Sequence, residues 1–343
     1  MKFTKYCLTV FALVAICCSI WISCTSDNTE GNTHTIPKDE VDQYDSDYFL
    51  RMANSELKEG NCESAKDFYD VYKNHFHKTD TCVESQIKKC GGDTSNAVSI
   101  HENYTETTLG INMKMVWVEG GEFMMGCTSE QSDCDEDEMN VRRVTVDGFY
   151  IGMIEVTQSQ WEAVIGTNIY IQENKARGTS TYGYSMDPES PMCFVNWDEA
   201  MEFCRLLSNS TGKTYTLPTE AQWEYAARGG KNPDGTKYAG SNDIDAVAWY
   251  SDNCSGSTHV CGSKCANSLG IYDMSGNVDE WCKDLYRDCY DRKNHAGASS
   301  VGCRVLRGGH WYCLASSCRV SERGYSLPSY RNVGIGFRIV CIP

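Results

Sequence analysis

Apolar and polar positions change rhythm several times along the chain, and each change marks a boundary. Tyr6 to Ile22 is an uncharged apolar run, preceded by Lys2 and Lys5 and followed by the small Ser23 before Cys24. That order predicts a secretory signal over residues 1–23. Residues 24–47 are rich in Ser, Thr, Asn and Asp with almost no apolar content, the composition of a flexible tether. Tyr48, Leu50, Met52, Ala53 and Leu57 then recur at helical spacing until Glu59-Gly60-Asn61 breaks the pattern. Ala65, Phe68, Tyr69, Val71 and Tyr72 resume it. This predicts a helical hairpin over 48–90, and the polar stretch 91–109 reads as a linker. From residue 110 to 343, short apolar or aromatic runs alternate with Gly, Asn and Asp turns, the texture of a loop-rich α+β domain with short strands. Two segments interrupt it as helices. One starts at Asn196, an N-cap before a carboxylate-rich first turn. The other runs from Thr219 to Ala227, with a Thr219-x-x-Gln222 capping box and a stop at Gly229-Gly230.

The 343 residues carry a formal net charge of -16, which excludes a phosphate-binding surface of clustered Lys and Arg and reads as solubility. The acidic run Asp133, Asp135, Glu136, Asp137 and Glu138 reads as a solvated loop rather than a cation site. Twenty cysteines with no C-x-x-C pair argue against zinc ribbons and for disulfides in an oxidising compartment. Short-range couples stand out as local staples: Cys127 with Cys134, Cys254 with Cys261, and Cys282 with Cys289. Cys313 with Cys318 is either one more staple or a reactive pair. Cys62, Cys82 and Cys90 leave a further bridge in or from the hairpin open. The chain has no Gly-rich phosphate loop and no H-E-x-x-H. Beyond the first segment, no run is long and apolar enough to span a membrane.

The run Trp21-Ile22-Ser23-Cys24 resembles a lipoprotein box, in which Cys24 is lipidated and becomes the first mature residue. An ordinary signal peptide or an uncleaved anchor is the alternative. The hairpin resembles a single tetratricopeptide-type unit, which cannot bury its apolar face alone.

A longer resemblance covers the last two-thirds of the chain. It opens with Val116-Trp117-Val118-Glu119-Gly120-Gly121-Glu122-Phe123-Met124-Met125-Gly126. Arg143 to Ile151 and Glu155-Val156-Thr157-Gln158-x-Gln160-Trp161 follow, then the helix at Trp197. Leu217-Pro218-Thr219-Glu220-Ala221-Gln222-Trp223-Glu224-Tyr225-Ala226-Ala227-Arg228-Gly229 comes next. Leu269 to Trp281, Arg307-Gly308-Gly309-His310-Trp311 and Gly336-Phe337-Arg338 close the series. In this order the motifs resemble the sulfatase-modifying factor family, the formylglycine-generating enzymes. The resemblance implies a C-type-lectin-like fold, and most of the motif residues read as structural. Trp197, Phe203, Trp223, Tyr225 and Trp281 sit at core spacing, and Arg338 ties loops together.

The family's oxidases hold copper(I) with two cysteines after Arg-Gly-Gly and convert a cysteine of a sulfatase to formylglycine with dioxygen. Cys313 and Cys318 match those positions. Soft thiolates select copper(I), and nearby positive charge, for which Arg307 and Arg319 are the candidates, favours the thiolate form. The resemblance also implies calcium, probed here by Asn277 and Glu280 in Gly-Asn-Val-x-Glu-Trp, with oxygen donors suited to a hard cation. The surroundings of the pair depart from the oxidases. His310 replaces Ser after Arg-Gly-Gly, Leu314 replaces His after the first Cys, and Ser317 replaces Tyr before the second. Two functions therefore compete. One is an exported oxidase acting on a sulfatase. The other is a non-catalytic surface lipoprotein module that binds protein or glycan partners in the cell envelope. Neither involves nucleic acid, and both place the protein at a membrane through its lipid anchor.

Overall fold

The computed structural model describes residues 46–59, 61–76, 83, 87, 101–176, 183–286 and 302–343. The signal segment, the lipidation candidate Cys24 and the tether up to residue 45 lie outside the described residues, as do Cys82, Cys90 and Cys289. The chain divides into two units, residues 1–94 and 95–343.

In the first unit, helices α1 (Ser46–Glu59) and α2 (Cys62–Phe76) follow the apolar spacing. Asn61 donates back to the Glu56 carbonyl, and its own carbonyl accepts from Ala65, so one residue closes one helix and opens the next. Phe49, Ala53, Ala65, Tyr69 and Tyr72 are buried. The Tyr69 and Tyr72 rings stack at 5.7 Å.

The second unit starts earlier than the spacing of turns predicts. Residues 104–106, expected to be linker, form strand β1 (Tyr104–Glu106). It is followed by β2 (Met113–Val118), β3 (Gly121–Met125), β4 (Arg142–Val146) and β5 (Phe149–Gly152). Helices α3 (Gln158–Ile165), α4 (Ile169–Lys175) and α5 (Trp197–Thr211) come next, then β6 (Thr214–Thr216), α6 (Glu220–Ala227) and the short α7 (Ile244–Val247). Strands β7 (Asp279–Leu285), β8 (Arg304–Arg307), β9 (Gly324–Ser326), β10 (Ile335–Gly336) and β11 (Val340–Ile342) complete it. Among the described residues these form three small sheets, in the orders β1-β2-β5-β11-β6, β10-β7-β8-β9 and β3-β4. The C-terminal β11 pairs antiparallel with both β5 and β6, so the last strand sits between two strands from earlier in the same unit.

The helices start where side chains satisfy the orphan amides of the first turn. Thr157 with Gln160, Asn196 with Glu199, and Thr219 with Gln222 each form a reciprocal capping box. The second and third were legible as caps. The first lies in a motif that the spacing alone did not mark as helical, because only Trp161 among the first residues of α3 is both apolar and buried. Aromatic rings fill the space between helices and sheet. Trp161 and Phe203 lie parallel at 6.0 Å, and Phe337 meets both edge-on.

Buried ion pairs bind the loops to this core. Arg338 is fully buried, as its place in Gly-Phe-Arg predicts. It forks onto Glu280 with two bonds of 2.6 Å and donates to the carbonyls of Gly152 and Tyr272. Glu224 accepts from Arg228, Arg307 and the Gly126 amide. A charge this deep is tolerated because each carboxylate oxygen has a donor. The acidic loop belongs to the same system. Glu138 and Asp137 are held by Arg319, Arg323 and Tyr286, so this part of the run is structural rather than solvated.

Candidate active site: a thiol pair on the loop after β8

Strands β7 and β8 pair with Glu280 opposite Arg307 and Trp281 opposite Leu306. The chain leaves β8 through Gly308 and Gly309, both with positive φ (+97° and +75°). Gly309 must be glycine for a second reason. A Cβ there would lie 2.5 Å from the Ser317 carbonyl oxygen and 3.1 Å from the Cys313 sulfur. The loop can therefore fold back on itself. The Cys313 amide donates to the His310 carbonyl at 3.0 Å, and Ser317 donates to Leu314 at 3.0 Å as a short 3₁₀ turn closes over Ala315–Cys318. These turns bring the sulfurs of Cys313 and Cys318 to 3.6 Å, the two residues the sequence singled out.

The two sulfurs occupy different surroundings. Cys318 is fully buried in a cluster with Tyr238, Val247 and Tyr250, and its carbonyl accepts from the Ser275 hydroxyl at 2.7 Å. Cys313 is only partly buried, and the next side chain, Leu314, is 69% exposed. A hydrogen bond from the Cys318 thiol pulls the Cys313 pKa down to about 5, against burial and with help from His310. The same hydrogen bond, reinforced by burial, drives Cys318 well above the usual thiol range. The pair thus favours the thiolate on the outer sulfur and the proton on the inner one.

His310 supplies the positive charge beside that thiolate. Burial lowers its pKa, but Cys313 and Asp279 outweigh burial and the net shift is upward. The His310 side chain favours the Cys313 thiolate through hydrogen bonding and charge, and its backbone amide donates to the Cys313 sulfur at 3.3 Å. Asp279 lies 3.8 Å from His310 Nε2, and burial lifts its carboxyl to about 7, with the imidazolium opposing. The His310 ring stacks on Tyr312 at 3.8 Å. Arg307 and Arg319, the expected source of charge, are committed elsewhere: Arg307 to Glu224 and the carbonyls of Val320, Ser321 and Glu322, Arg319 to Glu138 and Glu322. Asp279 had no motif signal beyond lying between Val278 and Glu280.

The two calcium candidates do not form an open oxygen site. Asn277 is buried, donates to Glu155 at 2.7 Å and accepts from the His259 amide at 3.0 Å. Both oxygens of Glu280 accept from Arg338, and one also accepts from the Trp223 indole at 2.7 Å. A divalent cation would have to displace the arginine, so these side chains do not fit calcium as a ligand set. Nearby, Glu155, Cys261 and Asp273 bring ligand-type atoms within 4.8 Å of one another. Burial, then the charges of Asp273 and Glu280, push the Glu155 pKa well upward.

The cysteine staples are borne out in one case. Cys127 and Cys134 are bonded. Cys254 and Cys261 are both free and buried, and Cys282 is free and buried as well, contrary to the spacing. Cys261 instead donates to Glu155 at 3.3 Å, and the Cys254 sulfur accepts from the Gly256 amide at 3.3 Å. Cys265 and Cys303, which the spacing had not paired, are each in a disulfide.

A C-type-lectin-like scaffold with a cysteine pair after an Arg-Gly-Gly turn defines the class. Residues 102–342 match the sulfatase-modifying factor enzyme 1-like domain, and the chain belongs to that family. A protein of Paenibacillus barcinonensis described as chaperone protein LppX is 31% identical over 260 residues, covering 61% of this chain and 82% of the relative. Formylglycine-generating enzyme of Mus musculus is 27% identical over 283 residues, covering 66% of this chain and 74% of that enzyme. Among solved structures, Treponema denticola variable protein 1 superposes with a TM-score of 0.57 at 28% identity, covering 71% of this chain and all of that one.

Proposed function

We propose that the protein is a formylglycine-generating oxidase that converts a cysteine of an exported sulfatase to formylglycine. The observation that carries this reading is the 3.6 Å contact between one partly exposed and one buried sulfur on the loop after Arg307-Gly308-Gly309. Two adjacent sulfurs, one ionised, are a soft donor set suited to copper(I). Copper, held by Cys313 and Cys318, would supply the dioxygen-activating redox chemistry. The chain's own residues have separate tasks. His310 balances the Cys313 charge, Asp279 orients His310, and Leu314 flanks the opening that a client peptide would meet. The signal over 1–23 and lipidation at Cys24 would carry the domain across a membrane and tether it, with the client an exported sulfatase. Calcium is left out, because Asn277 and Glu280 are already bonded to the protein.

The test is direct. Purified protein is incubated with copper(I), air and a Cys-x-Pro-x-Arg peptide, and the peptide is weighed by mass spectrometry. Conversion to the aldehyde that disappears in Cys313→Ser supports the proposal, and an unchanged peptide mass overturns it.

A second reading is favoured by one feature. Leu314, 69% exposed, stands where the oxidases place His. An apolar residue there suits a surface that holds another protein without reacting, in line with a relative described as a chaperone. Binding of an envelope protein that survives Cys313→Ser would favour it.

A further inference from the structure

Eight cysteines among the described residues are free, and seven of them are buried. Cys313 alone is accessible. Its sulfur already touches that of Cys318, and a disulfide bond of about 2.0 Å needs only a modest further approach. The backbone around the pair is fixed on both sides. The Ser251 amide donates to the Cys313 carbonyl at 3.1 Å, the Ser275 hydroxyl donates to that of Cys318, and Gly309 lies against Ser317. The pair is therefore held at the threshold of closure, with one sulfur on a partly exposed residue and the other buried.

We propose that Cys313 and Cys318 also act, without metal or oxygen, as a dithiol that reduces an exposed disulfide of a protein partner. The Cys313 thiolate attacks one partner sulfur, the partner S–S bond breaks, and the leaving sulfur departs as a thiolate. Cys318 gives up its proton to that leaving sulfur and attacks the Cys313 sulfur. The mixed disulfide breaks, the Cys313–Cys318 bond forms, and the second partner sulfur leaves. Two electrons pass from the pair to the partner, and any external dithiol resets it. Access sets the order, because an incoming disulfide cannot reach Cys318 first. Leu314 at the opening selects a disulfide flanked by apolar side chains.

This activity does not depend on the oxidase reading, and the assay keeps the two apart. The full chain is reduced, desalted and treated anaerobically with glutathione disulfide in the presence of a copper(I) chelator. Reduced glutathione is counted and the cysteines are mapped by mass spectrometry. Wild type should form the Cys313–Cys318 disulfide, which accounts for two equivalents of released glutathione beyond those from re-formation of the Cys127–Cys134 bond and of the bridges of Cys265 and Cys303. Cys318→Ser should stop at one equivalent and keep glutathione on Cys313. In Cys313→Ser, Cys318 and the other free cysteines among the described residues should react at least ~100-fold more slowly in the mapping, since those thiols are buried. Wild-type protein that stays reduced, or Cys313→Ser that reacts as fast as wild type, overturns the proposal. The wild-type mapping needs no variant, so a folding defect in either serine variant does not blunt the test.

Discussion

Glu138 and Arg319 lie 181 residues apart and meet in a buried ion pair with bonds of 2.7 and 2.8 Å. Arg319 directly follows Cys318, so the acidic loop anchors the backbone that carries the inner sulfur. Ser321 also donates to Glu138, and Glu138 in turn accepts the Asp135 amide. Burial raises the Glu138 pKa, but Arg319 and Ser321 prevail and hold it below the usual carboxylate range. Glu138→Gln should cost up to about 3–5 kcal/mol, because it removes the main carboxylate partner of a buried guanidinium and leaves Arg319 only Glu322. The joint replacement Glu138→Leu with Arg319→Met should recover much of that loss. Urea unfolding of the three proteins checks it, and a Glu138→Gln protein as stable as wild type would show the pair to be dispensable.

His310 is the position where this chain departs from the oxidases next to the reactive sulfur. His310→Ser removes the charge that helps hold Cys313 near a pKa of about 5. The hydrogen bond from Cys318 remains, so the shift should be upward but partial. Site-resolved alkylation of metal-free protein by iodoacetamide, followed from pH 4 to 9, reads it. The wild-type rate should rise with a midpoint near 5, and that of His310→Ser at higher pH. Coincident profiles would mean that His310 does not act on the thiolate.

Motif order made the fold legible because large aromatics and capping residues act locally. Thr219-x-x-Gln222 and Asn196 mark their helix starts whatever surrounds them. The Cys313–Cys318 pair was visible for the same reason, since five residues and a Gly-Gly turn confine it. What stayed hidden depends on contacts made across the fold. Asp279 reaches His310 from another strand. Arg307 and Arg319 find carboxylates that their neighbours in sequence do not announce. Spacing also misread Cys254, Cys261 and Cys282, because closeness along the chain does not aim two sulfurs at each other.

Glu106 makes a pH prediction. Burial raises its pKa, but Lys213, Thr108 and the Tyr215 hydroxyl outweigh burial and bring it down to about 2. A depressed carboxylate stabilises the fold fully above its unfolded value of 4.5, and that contribution is lost as pH falls from 4.5 toward 2. Lys213 is half exposed, so water screens the pair, and the contribution is about 1–2 kcal/mol. Glu106→Gln should lower stability at pH 7 by roughly this amount and match wild type near pH 2. Thermal unfolding across that range tests it, and a constant difference at every pH would rule the linkage out.

Gly309 joins fold to chemistry. Its positive φ and the 2.5 Å approach of the Ser317 carbonyl leave no room for a side chain. Gly309→Ala should therefore push the Ala315–Cys318 turn away from Cys313, at a cost of about 1–3 kcal/mol. The Cys313 thiolate would lose the Cys318 thiol as a donor. Its alkylation midpoint should rise well above 5 further than in His310→Ser, because the hydrogen bond from Cys318 is the largest influence on it. Intramolecular disulfide formation should slow in parallel, since the sulfurs no longer touch. Measuring both on one folded variant separates geometry from charge. A variant with an unchanged midpoint and unchanged closure would mean that the loop holds its shape without the glycine.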